Sequence, residues 1–237
     1  MKKKSRIWVA VLTVIGVVLV IHSSCKKADD NTSNNVSDKD GNVYKTVTIG
    51  NQVWLAENLK TTKYQNGDLI GTTTTSTSDI SGENTPKYQW PSGGNESSVG
   101  IYGRLYTWYA VADSRNICPT GWHVPNNIEF STLMSNLGGD DIAGGKLKET
   151  GTTHWASPNT EATNESGFTA LPGGYRGYEG SYYFVGYTGY WWTATEADAN
   201  NAWYRGLYYN GIYDHNLSNA KKAGFAVRCL QGNPTGK

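Results

Sequence analysis

The chain reads as an α+β domain, with two or three short helices packed on twisted antiparallel strands. Three observations predict it. Apolar stripes of helical period lie between residues 103 and 149, Gly-punctuated aromatic segments of strand period follow residue 168, and no later stretch is long enough for another helix. Composition agrees: 28 Gly, 16 Tyr and 9 Trp against 4 Phe and 2 Met describe a loop-rich protein whose core is built from large rings with polar tips. A Leu/Met-rich helical bundle is excluded.

The elements follow in order. Asp38-Lys39-Asp40-Gly41-Asn42 is a turn. Val43 to Ile49 alternates, with Val43, Lys45, Val47 and Ile49 on one face, and Gly50-Asn51 joins it to Gln52–Leu55 as a two-residue hairpin loop. Residues 71–98, rich in Thr, Ser, Gly and Asn, read as a long surface loop. Gly103 to Ala112 places Leu105, Trp108, Tyr109 and Ala112 on one helical stripe. A second helix opens at Asn126, which caps it while Glu129 reaches back in a capping box. Phe130, Leu133, Met134 and Leu137 form its buried stripe, and Gly138-Gly139 ends it. Asp141 to Glu149 makes a third helix, weakened by Gly144-Gly145, and the Asp140-Asp141 charges suit its dipole. Phe168–Arg176, Gly189–Thr195, Ala202–Leu207 and Gly224–Cys229 then read as short strands.

The amino terminus reads as an address. Met1 to Arg6 is positive, and Ile7 to Ile21 is a fifteen-residue apolar stretch, short of the roughly 20 residues that span a bilayer. The following His22-Ser23-Ser24-Cys25 resembles a lipobox, which implies cleavage before Cys25 and lipid on that cysteine; an uncleaved anchor is the competing reading. Cys25-Lys26-Lys27-Ala28-Asp29-Asp30 resembles the start of Bacteroidota lipoproteins displayed outward on the outer membrane. The expected organisation is a signal peptide over 1–24, a disordered tether over 25–38, one domain over 39–231 and a flexible tail over 232–237. A monomer attached to a membrane through its lipid is expected.

Charge narrows the partners. Lys+Arg number 21 and Asp+Glu 20. With the basic signal segment removed the remainder is mildly acidic, which excludes nucleic acid. Asp38, Asp40 and Asn42 alternate as calcium ligands do, but the glutamate that completes such a loop falls on Ile49, so calcium is unsupported and no metal or cofactor is expected. His123, His154 and His215 are single and widely spaced, more consistent with structural imidazoles than with a metal or triad.

Two cysteines remain, Cys118 and Cys229, in a chain bound for an oxidising compartment, where leftover thiols most simply pair. The alternative is a soft-metal or redox pair.

Three segments together resemble the Fibrobacter succinogenes major paralogous domain family: Cys118-Pro119-Thr120-Gly121-Trp122-His123-Val124-Pro125, Gly189-Tyr190-Trp191-Trp192-Thr193-Ala194-Thr195 and Gly224-Phe225-Ala226-Val227-Arg228-Cys229. Val47 to Leu59 and Tyr102 to Trp108 add to it, so the resemblance covers about residues 40–231. That family is similar in turn to the C-type-lectin-like fold of formylglycine-generating enzymes and sulfatase-modifying factors, which implies such a fold here.

Three functions compete. A non-enzymatic binding module for a glycan or a protein draws on the aromatic crowd between Phe168 and Tyr213, where Tyr182, Tyr183, Tyr187, Tyr208 and Tyr209 sit in glycine-flanked turns and are the candidates for ligand contact. A divergent formylglycine-generating-enzyme-like oxidase would need a copper-binding thiol pair late in the domain, where only Cys229 stands. Within the binding reading, calcium-dependent sugar chemistry is unsupported, because it would need a Glu-Pro-Asn or Gln-Pro-Asp loop with Trp-Asn-Asp and Ser157-Pro158-Asn159 is the nearest approach. A structural envelope component without a discrete ligand is the third reading. No catalytic residue is assigned.

Overall fold

A computed structural model describes residues 36–90 and 92–235; Cys25, the signal segment and the tether to residue 35 lie outside the described residues. The first described strand opens at Val36, three residues before the expected domain boundary. β1 (Val36–Ser37) pairs antiparallel with β2 (Val43–Tyr44) around a turn held by Asp38. Its Oδ1 accepts the Asp40 and Asn42 N–H groups at 2.9 and 3.0 Å, and its Oδ2 accepts the Asn42 amide and the Tyr44 hydroxyl at 2.8 and 2.6 Å. The alternation expected from Val43 to Ile49 breaks at Lys45: Tyr44 points inward and is fully buried, while Val43 is exposed. β3 (Thr46–Ile49) then pairs with β4 (Gln52–Leu55) across the expected hairpin, Ile49 opposite Gln52, with Gly50 at φ +61° as a primed turn requires.

The 71–98 segment is mostly irregular, but Ile80 is buried and β5 (Tyr88–Gln89) forms near its end. A single turn, α1 (Val99–Tyr102), comes next. The helix expected over 103–112 is corrected: Leu105–Tyr106 is β6, paired with β5, and only Trp108–Val111 is helical (α2). A distant partner overrides the local period, because the Tyr106 N–H donates to the Phe225 carbonyl at 2.8 Å and Phe225 returns a bond at 3.1 Å. After β7 (Trp122–His123), α3 (Asn127–Asn136) carries the expected capping box, with Phe130, Leu133, Met134 and Leu137 buried. α4 (Asp140–Leu147) follows after Gly138-Gly139.

In the aromatic half, the strand expected over 168–176 shrinks to β8 (Tyr175–Arg176), paired with β9 (Tyr182–Tyr183). β10 (Thr188–Glu196), β11 (Asn201–Tyr208) and β12 (His215–Ala220) form a three-stranded antiparallel sheet. Strand period divides its rings: Trp191 and Leu207 join a cluster with Trp54, Phe130, Trp155 and Phe168, while Tyr190, Trp192 and Tyr204 join one with Tyr106 and Phe225. The strand expected over 224–229 is held only by isolated bridges, Gly224 to Arg176, Phe225 to Tyr106 and Ala226 to Trp191. The ladder proper is β13 (Leu230–Gln231), wedged between β4 and β7 in a sheet of order β3-β4-β13-β7.

Cys118 and Cys229 are joined, S–S 2.05 Å, so the cysteine pair is a disulfide. The chain beyond residue 231, expected as a tail, is tied down as far as Thr235. His123 Nδ1 lies 2.7 Å from the Gly232 carbonyl, and the Glu129 carboxylate accepts the Thr235 N–H at 2.8 Å. Few short helices on antiparallel sheets make the fold α+β.

Candidate binding surface

The five tyrosines singled out in the sequence do not form one patch. Tyr183 is exposed on β9, stacked on Tyr175 at 5.1 Å, its hydroxyl donating to Glu179 at 2.6 Å. Tyr187 is exposed and stands edge-on to Tyr209 at 5.2 Å. Tyr208 is half-buried between Tyr190 at 6.2 Å and His215 at 4.5 Å. Tyr182 and Tyr209 are half-buried against the cluster around Trp54, and the Tyr182 hydroxyl donates to the Ser76 carbonyl at 3.2 Å.

A continuous set of rings underlies the surface. Tyr183 and Phe184 lean on Tyr175, which meets Tyr190 and Phe225 edge-on at 5.5 and 5.4 Å; Tyr190 continues to Tyr208, Tyr208 to His215, and His215 to Tyr213. Offset and edge contacts of this kind fix ring orientation, so the outer rings are held before any ligand arrives. Burial holds the His215 pKa below its ordinary range, which keeps that end of the set uncharged at neutral pH.

The turn after β9 displays its residues under strain. Phe184 has φ +59°, a left-handed conformation that costs a bulky residue on the order of 1–2 kcal/mol, yet the residue is 55 % exposed. Its carbonyl accepts from the N–H groups of Tyr187 and Thr188, both at 3.0 Å. The turn rests on Gly174, where a Cβ would stand 2.1 Å from the Tyr183 carbonyl oxygen. Little burial offsets the strain at Phe184, and strain of this sort collects at functional sites. Phe184 was not among the candidates; its signal was Gly186, which places it in the same glycine-flanked turn as Tyr187.

The β11–β12 turn that carries Tyr209 and Tyr213 is tied by Lys148, a lysine with no exposed surface and, among the described residues, no carboxylate partner. Its Nζ donates to the carbonyls of Thr160, Tyr208 and Gly211 at 3.0, 3.1 and 2.8 Å. Burial lowers its pKa to about 8. A buried pair of Arg205 with Asp214 holds the same turn next to His215.

Among the described residues no cluster of three or more His, Cys, Asp or Glu could hold a metal ion. The Asp38 and Asp40 carboxylates serve the turn and the Thr61-Thr62 backbone and hydroxyls instead. His123 is buried against Glu129 at 3.0 Å, and His154 meets Glu149 at 2.8 Å. A cleft of about 470 Å³ opens beside Trp122 and His123, but none of the five tyrosines lines it.

The model of the Fibrobacter succinogenes major domain matches residues 47–231. The chain belongs to that family. In this member of the Fibrobacter succinogenes major domain family the match runs from β3 through β13 and takes in the disulfide, Arg228, the Phe184 turn and all five tyrosines. No curated protein and no solved structure matches the chain. The family name carries the domain and no activity.

Proposed function

We propose that the chain is a lipid-anchored, outward-facing envelope protein whose domain binds a glycan or protein ligand without catalysis, through the rings around Phe184. Its address rests on the signal segment and the lipobox-like run ending at Cys25. The observation that carries the binding reading is the strained, solvent-facing Phe184 between two exposed tyrosines. A ring that served only the core would be buried and relaxed; this one is neither. The oxidase alternative would draw on two late thiols; here Cys229 is the one late cysteine and it is bonded to Cys118 in a buried disulfide.

The test is capture by the purified full chain on a glycan array and against envelope proteins, beside the variants Phe184→Asn and Tyr187→Ala. Asn accepts left-handed backbone, so Phe184→Asn is expected to keep or raise Tm while capture falls at least tenfold. Equal capture by both variants and the parent would remove the ring surface from the reading. For the address, Cys25→Ser is expected to abolish acylation and release the protein from the membrane fraction.

A further inference from the structure

A second cavity lies at the tip of the β8–β9 hairpin. Its volume is about 370 Å³, and Ser81, Tyr109, Tyr178, Asn200, Ala220 and Lys222 line it. That volume falls within the roughly 300–1,000 Å³ typical of small-ligand sites.

Its walls come from distant parts of the chain, and each is fastened. The Ile80 N–H donates to the Tyr178 carbonyl at 2.8 Å. Arg176, fully buried, donates from Nε to the Ser76 carbonyl at 2.9 Å and from Nη2 to the Ser78 carbonyl. The Tyr109 hydroxyl is 3.1 Å from Asn84 Oδ1. A Cβ on Gly180 would stand 2.2 Å from the Thr77 carbonyl oxygen, so the hairpin tip and the 76–81 loop meet backbone to backbone. A cavity held in this way exists before its ligand and lowers the ordering cost of binding.

The lining has a definite chemistry. Two phenol rings offer apolar faces with polar rims. The Lys222 ammonium donates to the Ser81 carbonyl and forms no ion pair among the described residues, which leaves donors for a ligand. Among the described residues the Asn200 side-chain amide has no hydrogen-bond partner. Carboxylates sit close by: Asp79 accepts the Ser81 N–H and Asp198 the Asn200 N–H, each at 2.7 Å. An anion would meet these carboxylates and a cation would meet Lys222. An uncharged ligand with hydroxyls around an apolar face meets neither penalty, and a pyranose ring is such a ligand.

We infer that this cleft is a saccharide site that takes one neutral pyranose unit of a glycan chain. Tyr109 and Tyr178 lie against its faces, and Asn200 and Lys222 bond its hydroxyls. The inference rests on the binding-module reading but concerns a different place from the Phe184 turn.

The experiment titrates the purified full chain with four neutral tetrasaccharides, built from β-1,4-glucose, α-1,4-glucose, β-1,4-xylose and β-1,4-mannose, and with one glucuronate-containing oligosaccharide. At least one neutral probe is expected to bind, and the glucuronate probe no more tightly. Tyr178→Ala is expected to weaken that binding about tenfold, the scale of a lost ring contact, and Lys222→Met several-fold. Both should keep the parent Tm, since Tyr178 is 41 % exposed and Lys222 is only partly buried. Tyr178→Phe should retain most of the affinity. Silence from all four neutral probes, or full affinity in Tyr178→Ala, overturns the assignment. If capture is lost in Phe184→Asn but kept in Tyr178→Ala, the ring surface stands and the cleft falls. Loss in Tyr178→Ala alone supports the cleft and removes the Phe184 turn.

Discussion

Two buried charged residues set the tightest constraints at the scale of single side chains. Arg228 is fully buried, with Nε and Nη2 donating to Asn58 Oδ1 at 3.1 and 2.8 Å and Nη1 donating to the Leu55 and Phe168 carbonyls. Asn58 Oδ1 also accepts Trp191 Nε1 at 2.8 Å, so one guanidinium and one amide join the opening hairpin to the aromatic sheet. Arg228→Met removes every donor but indole from that oxygen, orphans the Leu55 and Phe168 carbonyls, and is expected to cost about 1–3 kcal/mol in urea unfolding. Arg228→Lys should recover little, because an ammonium cannot reproduce the planar fork. Glu129 gives a pH dependence. Burial alone would raise its pKa, but hydrogen bonds from His123 and from the N–H groups of Asn126 and Thr235 outweigh it and hold the carboxyl below its ordinary 4.5. A lowered folded value means that this stability is present above pH 4.5 and is lost as pH falls through the folded value. Urea midpoints measured from pH 7 to pH 3 should therefore drop more steeply for the parent than for Glu129→Gln; parallel curves would assign the acid response elsewhere. Legibility differs sharply between these residues. The Asn126–Glu129 box could be read because capping is local in sequence. The burial of Arg228 and Lys148 could not, since their partners lie 60 or more residues away for Arg228 and 12 to 63 for Lys148, and a charged residue is ordinarily read as solvated.

Among the elements, length decided what the sequence could show. α3, β10 and β11 have eight to ten residues, enough for a period to repeat, and all three lie where expected. β5 to β9 have two residues each, and they are strands only because a partner segment folds against them. Leu105 and Tyr106 fit a helical stripe, but pairing with β5 and Phe225 decides their state; β12, polar and largely unburied, carried no apolar signal at all. The glycines of α4 permit a test in which propensity and packing disagree. In an open helix, Gly→Ala gains up to about 1 kcal/mol. A Cβ on Gly144 would stand 2.6 Å from the Ile212 carbonyl oxygen, and one on Gly145 2.6 Å from that of Glu161. Both contacts are with backbone, which cannot swing aside, so Gly144→Ala and Gly145→Ala are each expected to lose about 1–3 kcal/mol. Gly100 in α1 has nothing within 4 Å of its hypothetical Cβ, and Gly100→Ala should raise Tm slightly. A gain in all three variants would mean that α4 shifts freely away from the 159–164 and 209–213 turns, and with it the Lys148 tie on the tyrosine-bearing turn.

At the scale of the molecule, the class was readable and the topology was not. Helical stripes before aromatic strands are local facts, whereas the sheet order β3-β4-β13-β7 joins segments from both ends of the domain, and nothing in a short window reports that β13 will sit between β4 and β7. The cysteines supplied the one long-range clue. Their bond closes a separation of 111 residues, from just before β7 to just before β13, the two strands that pair with each other. In the chain-entropy model a loop of that length stabilises by about 4–5 kcal/mol, set against a whole-domain stability of roughly 5–15 kcal/mol. The double variant Cys118→Ser, Cys229→Ser frees the closing segment in the unfolded chain and removes the covalent tie on residues 224–231 in the folded one. It is expected to lose most of that figure in urea unfolding, with the slope rising as the denatured state expands. The loss should also propagate to binding. Residues 224–231 carry Phe225, on which Tyr175 and Tyr190 rest, and Arg228, so their release loosens the rings beneath Tyr183 and Phe184. Ligand capture should therefore fall with a midpoint matching the unfolding curve of the double variant. Capture that survives loss of the β13 pairing would show that the β8–β10 region holds the ring surface by itself.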